Sequence, residues 1–288
     1  GNVIEEMGME GRMTIANMAV EAGATSGMMM VDTKTVDYLY PALVKEAIRN
    51  HDFDHGSDKL QKHNSDPDAE YDQTIEIDVT NMVPVITDNY SPGDVVNVSV
   101  LVGKKVDQVY IGSCTNGRIS DLRAAANVFK TMGKIADSVR CIVVPATQHI
   151  FDMALEEGLI KIFMKAGCYV SGPTCGACLG MSCGVLAPGE ICVSTTNRNF
   201  PGRMGKDGMV HLASPATAAY TAIHGVITEP PLSLCELIVE REVNAPIVNE
   251  VVPTEWKDKE FTRPNYAQLL AQVGGGSSKN FSGRVFYL

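Results

Sequence analysis

From Val102 to Thr195, short apolar runs alternate with helix-forming stretches, and the runs lead into loops rich in Gly, Ser, Thr and Cys. Residues 106–111, 139–144, 168–170 and 191–195 read as strands, and residues 120–132 and 148–157 as helices. Nearly continuous apolar strands separated by helices need cover on both faces, which is the condition of a parallel sheet in an α/β fold. In such sheets ligands collect beyond the carboxyl ends of the strands. The loops expected there carry Cys114, Cys175, Cys178 and the stretch 197–203.

The flanking sequence is less regular. Residues 12–24 place Ile15, Met18 and Ala22 on a helical period ending at Gly23, with Asn17 and Glu21 four apart on one face. An amphipathic helix with a solvated polar face explains that pair equally well. Residues 33–50 read as helix, 51–71 as a polar loop holding His51, His55 and His63 without metal-ligand spacing, and 74–79 as a strand. The expected organisation is an α/β domain over 1–101, a second over 102–228, and an extension over 229–279 that closes on the flexible linker Gly274–Ser278. The abrupt start at Gly1 and the apolar end at Leu288 suggest a piece of a longer protein.

Composition narrows the function. A net charge of −10 argues against a general nucleic-acid binder, which needs Lys and Arg to neutralise phosphates. No apolar stretch approaches the roughly 18 residues of a membrane span. Eight cysteines in a chain this long, several of them within apolar runs, read as free thiols in a reducing compartment. The cytoplasm is expected, with an organelle left open.

Chemistry concentrates in three loops. Ser113-Cys114-Thr115-Asn116-Gly117-Arg118 and Gly172-Pro173-Thr174-Cys175-Gly176-Ala177-Cys178-Leu179-Gly180 offer three thiolates in glycine-rich surroundings. An electron-transfer iron–sulfur cube normally takes four, so a three-cysteine set points to an open iron acting as a Lewis acid. A C-x-x-C pair is also compatible with a redox couple or half of a zinc site, and Cys183 is close enough in sequence to be a fourth ligand. Asn197-Arg198-Asn199-Phe200-Pro201-Gly202-Arg203 sets two guanidiniums around a Pro-Gly bend, suited to a small dicarboxylate or to solvent alone.

These motifs, with Met9-Glu10-Gly11-Arg12-Met13-Thr14, the run Asp121-Leu122-Arg123-Ala124-Ala125-Ala126 and the stretch Leu212–Ala219, resemble the aconitase superfamily, within it the isopropylmalate dehydratase large-subunit and homoaconitase branch. The resemblance covers nearly all of residues 7–228. It implies parallel three-layer α/β/α domains with a four-iron four-sulfur cluster at the carboxyl ends of the strands. Cys114, Cys175 and Cys178 would hold that cluster, supported by hydrogen bonds from Asn17 and Asn197. Arg198 and Arg203 would bind substrate carboxylate, and Glu21 would contact the iron-bound water or hydroxyl. The family's first acid–base segment and its swivel-domain serine have no counterpart here, although residues 280–288 look like the opening strand of a swivel domain. A swivel domain or small subunit is therefore the expected partner.

The implied activity is that of a hydro-lyase isomerising a hydroxy-diacid by loss and return of water, with 2-isopropylmalate to 3-isopropylmalate in leucine biosynthesis preferred. A homoaconitase or aconitase-type substrate shares the chemistry. An RNA-binding iron sensor is the alternative from another class, and the acidic charge weighs against it. A redox carrier conflicts with three-cysteine ligation.

Overall fold

The computed structural model describes residues 1–50, 64–236 and 285–286. Contacts divide these into two units, with Gly1–Arg12 and Ala24–Ile75 in the first and Met13–Gly23 and residues 76–236 in the second. The histidine-bearing stretch 51–63, the linker Gly274–Ser278 and most of the extension and of 280–288 lie outside the described residues.

In the first unit, α1 (Asn2–Glu6) precedes the start of α2 (Met9–Met18), followed by β1 (Ser26–Gly27) and α3 (Thr33–Asn50). Residues 285–286 pair in parallel with β1. Arg12 is buried and donates to Met7 O at 3.1 Å, Glu5 O at 3.2 Å and Asp32 Oδ2 at 2.7 Å. Burial pushes the Asp32 carboxyl up, but bonds from Arg12 and Thr35 outweigh it and hold it below its usual range. A buried guanidinium satisfied this fully ties α1, α2 and the entry to α3 together.

The second unit is built on β2 (Val85–Thr87), β3 (Val95–Asn97), β4 (Gln108–Gly112), α4 (Ile119–Met132), β5 (Arg140–Val144), α5 (Gln148–Glu156), α6 (Leu159–Ala166), β6 (Tyr169–Val170), β7 (Ile191–Ser194), β8 (Met209–Leu212) and α7 (Pro215–His224). Strands β2 and β3 form an antiparallel pair, and the other five make a wholly parallel sheet in the order β6-β5-β4-β7-β8. The expected α/β fold is present. Sequence order reverses between β4 and β7, and a crevice for ligand opens at such a switch point.

Alternate residues of each strand face opposite layers. Val109, Ile111, Cys141, Val143 and Val193 join Leu122, Phe129, Phe163 and Ala218 in a core covered by helices, where the Phe129 and Phe163 rings meet edge-on at 6.0 Å. Tyr110, Ile142, Val144, Cys192, Val210 and Leu212 face the other way, against Ala177, Leu186 and Met204. That second layer is made of loops and a single 3₁₀ turn, Gly176–Leu179.

Two local expectations are corrected. Residues 74–79 form no strand; they are mostly exposed and lack a pairing edge, without which alternation cannot make a sheet. Helix α2 ends at Met18 and continues to Gly23 as tight turns, with Glu21 N bonded to Met18 O at 3.1 Å and Gly23 N to Val20 O at 3.0 Å. Asn17 and Glu21 therefore do not share a continuous helical face. Several elements had no sequence-based assignment, among them β2, β3, α6, β8 and α7. The start of α7 was readable, since Ser214 Oγ accepts from Thr217 N at 3.2 Å and Pro215 occupies the first helical position.

Candidate functional site

All the candidate residues belong to the second unit, and most come from loops at the switch point. The first loop leaves β4 at Gly112, where φ is +112° and an added Cβ would lie 1.9 Å from Val144 O. Only glycine tolerates that approach. Ser113–Gly117 then folds over the end of β5, and α4 begins where Arg118 N donates to Asp121 Oδ2 at 3.0 Å. Arg118 Nε also donates to Cys114 O at 3.1 Å, which leaves the Cys114 side chain exposed on the loop.

The second loop carries the C-x-x-C pair on the 3₁₀ turn. Ala177 is fully buried in the loop-side core, Tyr110 Oη donates to Cys175 O at 3.4 Å, and Gly176 and Gly180 have φ of +48° and +70°. The turn is pinned from below while Cys175 is exposed and Cys178 half-buried. Burial raises the Cys178 thiol; Arg203 pulls it back by charge and hydrogen bonding, and Cys114 and Cys175 push it up again. Cys114, Cys175 and Arg203 are thus each within electrostatic reach of Cys178. Cys183 is exposed and lines a separate cleft with Arg140, Cys141 and Tyr169.

The third loop follows β7. Asn197 is buried, and Arg198 Nε meets Glu21 Oε1 at 2.5 Å. Three buried polar atoms here lack partners, Glu21 Oε2, Asn199 Oδ1 and Arg203 Nε. An orphaned carboxylate oxygen and an orphaned N–H are costly unless a ligand satisfies them. Asn17 is half-buried one turn before Glu21.

Two buried networks that sequence reading did not single out support these loops. Asn199 Nδ2 donates to Asn89 O at 2.6 Å, Val210 O at 3.0 Å and Thr87 Oγ1 at 3.2 Å, so the residue after Arg198 anchors the arginine loop to β8 and to the β2–β3 pair. Asn116 accepts from Thr14 Oγ1 at 2.7 Å and donates to Asn197 Oδ1 at 2.7 Å, joining α2, the first loop and the third. Asn116 lies inside the motif that flagged Cys114, but nothing in its spacing distinguishes a buried hub from a turn residue.

Among the described residues no three Cys, His, Asp or Glu groups converge as the ligands of a single metal ion. Ligands to separate irons of a cube are spread apart by the cube itself, so three thiols on neighbouring loops, a nearby guanidinium and flanking glycines fit a cluster better than a lone ion. No helix among the described residues is long and apolar enough to cross a membrane.

The chain is 56% identical over 230 residues to the 3-isopropylmalate dehydratase large subunit of Geobacter sulfurreducens, covering 80% of this chain and 53% of that protein. The proteins of the same name from Desulfosudis oleivorans, at 55% over 81% of this chain and 53% of theirs, and Aquifex aeolicus, at 48% over 80% and 51%, are similar to it. The chain thus spans about half the length of the curated relatives it matches. The pattern of the aconitase family (aconitate hydratase) matches residues 1–105 and 100–225, and the chain belongs to that family.

Proposed function

We propose that this chain supplies the cluster-binding part of an iron–sulfur hydro-lyase that interconverts 2-isopropylmalate and 3-isopropylmalate in leucine biosynthesis. The observation carrying this reading is the grouping of Cys114, Cys175 and Arg203 around Cys178, in a chain whose relatives bear the dehydratase name. Cys114, Cys175 and Cys178 hold a four-iron four-sulfur cluster, with 102–228 as its domain and Asn17 and Asn197 as supporting hydrogen-bond donors. When bound, that cluster supplies a Lewis-acidic iron for the hydroxyl to be lost.

The protein's own groups do the rest. Arg198 and Arg203 present paired N–H donors that bind and orient the substrate carboxylates, a task an ammonium performs less specifically. Glu21, fixed by Arg198 through one oxygen, keeps the other free to hold a proton at the departing or returning oxygen. Removal of the carbon-bound proton falls to a residue of a swivel domain or small subunit, the expected partner. Free cysteines throughout the described residues suit a reducing cytoplasm.

The test is to reconstitute the complete enzyme that contains this chain, with its acid–base segment and its swivel domain or small subunit, and supply 2-isopropylmalate anaerobically. Appearance of the unsaturated diacid and then 3-isopropylmalate is expected. A loaded complex that turns over citrate or homocitrate but not 2-isopropylmalate would overturn the substrate assignment.

A further inference from the structure

Asn116 donates through Nδ2 to the backbone carbonyl of Thr195 and, from the same nitrogen, to Asn197 Oδ1 at 2.7 Å. A backbone carbonyl can only accept, so it fixes which end of the Asn116 amide faces this way. Asn197 must then present its oxygen to Asn116 and its nitrogen to the far side, where Nδ2 donates to Thr115 Oγ1 at 3.0 Å. With Asn197 donating to its oxygen, the Thr115 hydroxyl keeps its own hydrogen free for Cys114 Sγ, 3.6 Å away, and a ligating thiolate there has no proton to give and can only accept. Thr115 and Asn197 are both about 6% exposed, so water does not compete for these bonds.

We propose that Asn116 is a positioning residue that sets the direction of a hydrogen-bond relay, Thr195 C=O to Asn116 to Asn197 to Thr115, so that the Cys114 sulfur always receives a donor. The inference rests on Cys114 being a cluster ligand. A hydrogen bond to a ligating sulfur offsets its negative charge and raises the reduction potential of the cluster. From Asn116 onward every link points the same way, to Asn197, to Thr115 and to Cys114, because the Thr195 carbonyl fixes the Asn116 amide that starts it.

Replacing Asn116 by aspartate tests the direction. The carboxylate has nearly the same shape but no N–H; it draws the Asn197 nitrogen toward itself, turns the Asn197 oxygen to Thr115, and takes the hydroxyl hydrogen away from Cys114. Asn116→Ala leaves the Asn197 amide undirected. Because the aspartate charge lowers the potential by itself, the deciding pair is Thr115→Val against Thr115→Ser, which differ in the hydroxyl and not in charge. The measurement is the midpoint potential of the cluster, and the rate of iron release to a chelator, in the whole 288-residue chain reconstituted with iron and sulfide.

The expected result is a potential lowered most by Asn116→Asp, less by Asn116→Ala and again by Thr115→Val. Thr115→Ser, which retains the hydroxyl, stays near the parent value. Iron release from Asn116→Asp should be about tenfold faster. If Asn116→Asp fails to fold, the Thr115→Val and Thr115→Ser pair carries the same test. A loaded parent chain with variants that do not move the potential, or that rank alanine above aspartate, overturns the inference alone. A parent chain that takes up no iron and sulfide overturns the cluster reading and the inference with it.

Discussion

Two sets of cysteines in one unit behave as opposites. Cys141, Cys168 and Cys192 lie on or beside strands of the parallel sheet and are buried. The Cys141 thiol is raised by its contact with Cys168 and by burial, and burial pushes Cys192 up to about 12 even though a Gln108 bond opposes it. These sulfurs act as small apolar groups in the core. Cys114, Cys175 and Cys178 emerge on loops beyond the strand ends, and although burial still holds the Cys178 thiol above its usual range, Arg203 beside it pulls the other way. The lesson is that position on the sheet, not residue type, separates the proposed ligands from the core.

The sharpest way to break this contrast is to exchange serine for one cysteine of each set. Cys178→Ser should abolish stable cluster assembly, read as iron and sulfide per chain, and full retention would remove Cys178 from the ligands. Next in size, Arg203→Lys should lower kcat/KM of the complete enzyme about a hundredfold with the cluster intact, because one ammonium cannot replace a planar fork. Steady-state kinetics and an iron assay on the same sample check it. On the core side, Cys141→Ser should leave iron content unchanged and cost about 1–3 kcal/mol in urea unfolding, the cost of burying a poorly partnered hydroxyl.

The smallest expected effect concerns pH. His211 is buried on β8 with Nδ1 2.6 Å from Thr87 O, and burial lowers its pKa from the usual 6.5, against the pull of the Thr87 carbonyl. Below about pH 6.5 the unfolded chain takes up a proton that the folded chain resists. Stability contributed by the neutral ring is complete above that pH and falls as pH drops toward the folded pKa. His211→Gln should therefore lose part of the stability difference between pH 7.5 and pH 5 seen in urea titrations; an unchanged difference would contradict the sign.

Much of this was legible from sequence, for identifiable reasons. The strands of the parallel sheet announce themselves because residues buried on both faces must be continuously apolar, as Val109–Ile111 and Ile142–Val144 are. The cysteine and arginine loops were legible because glycine and paired guanidiniums have few other uses at that density. What stayed hidden depends on contacts distant along the chain. Asn116 reaches Thr14 and Asn197, 102 and 81 residues away, and Asn199 reaches Thr87, 112 away. No local pattern encodes those partners. The false strand at 74–79 has the same origin, since alternation states a face but not a neighbour.

The most direct measurement is iron and acid-labile sulfide per chain after anaerobic reconstitution. The account predicts about four of each, with one iron lost first on mild oxidation to leave a three-iron form. About one zinc per chain and no sulfide would contradict it, because a closed single-ion site leaves no metal position for substrate.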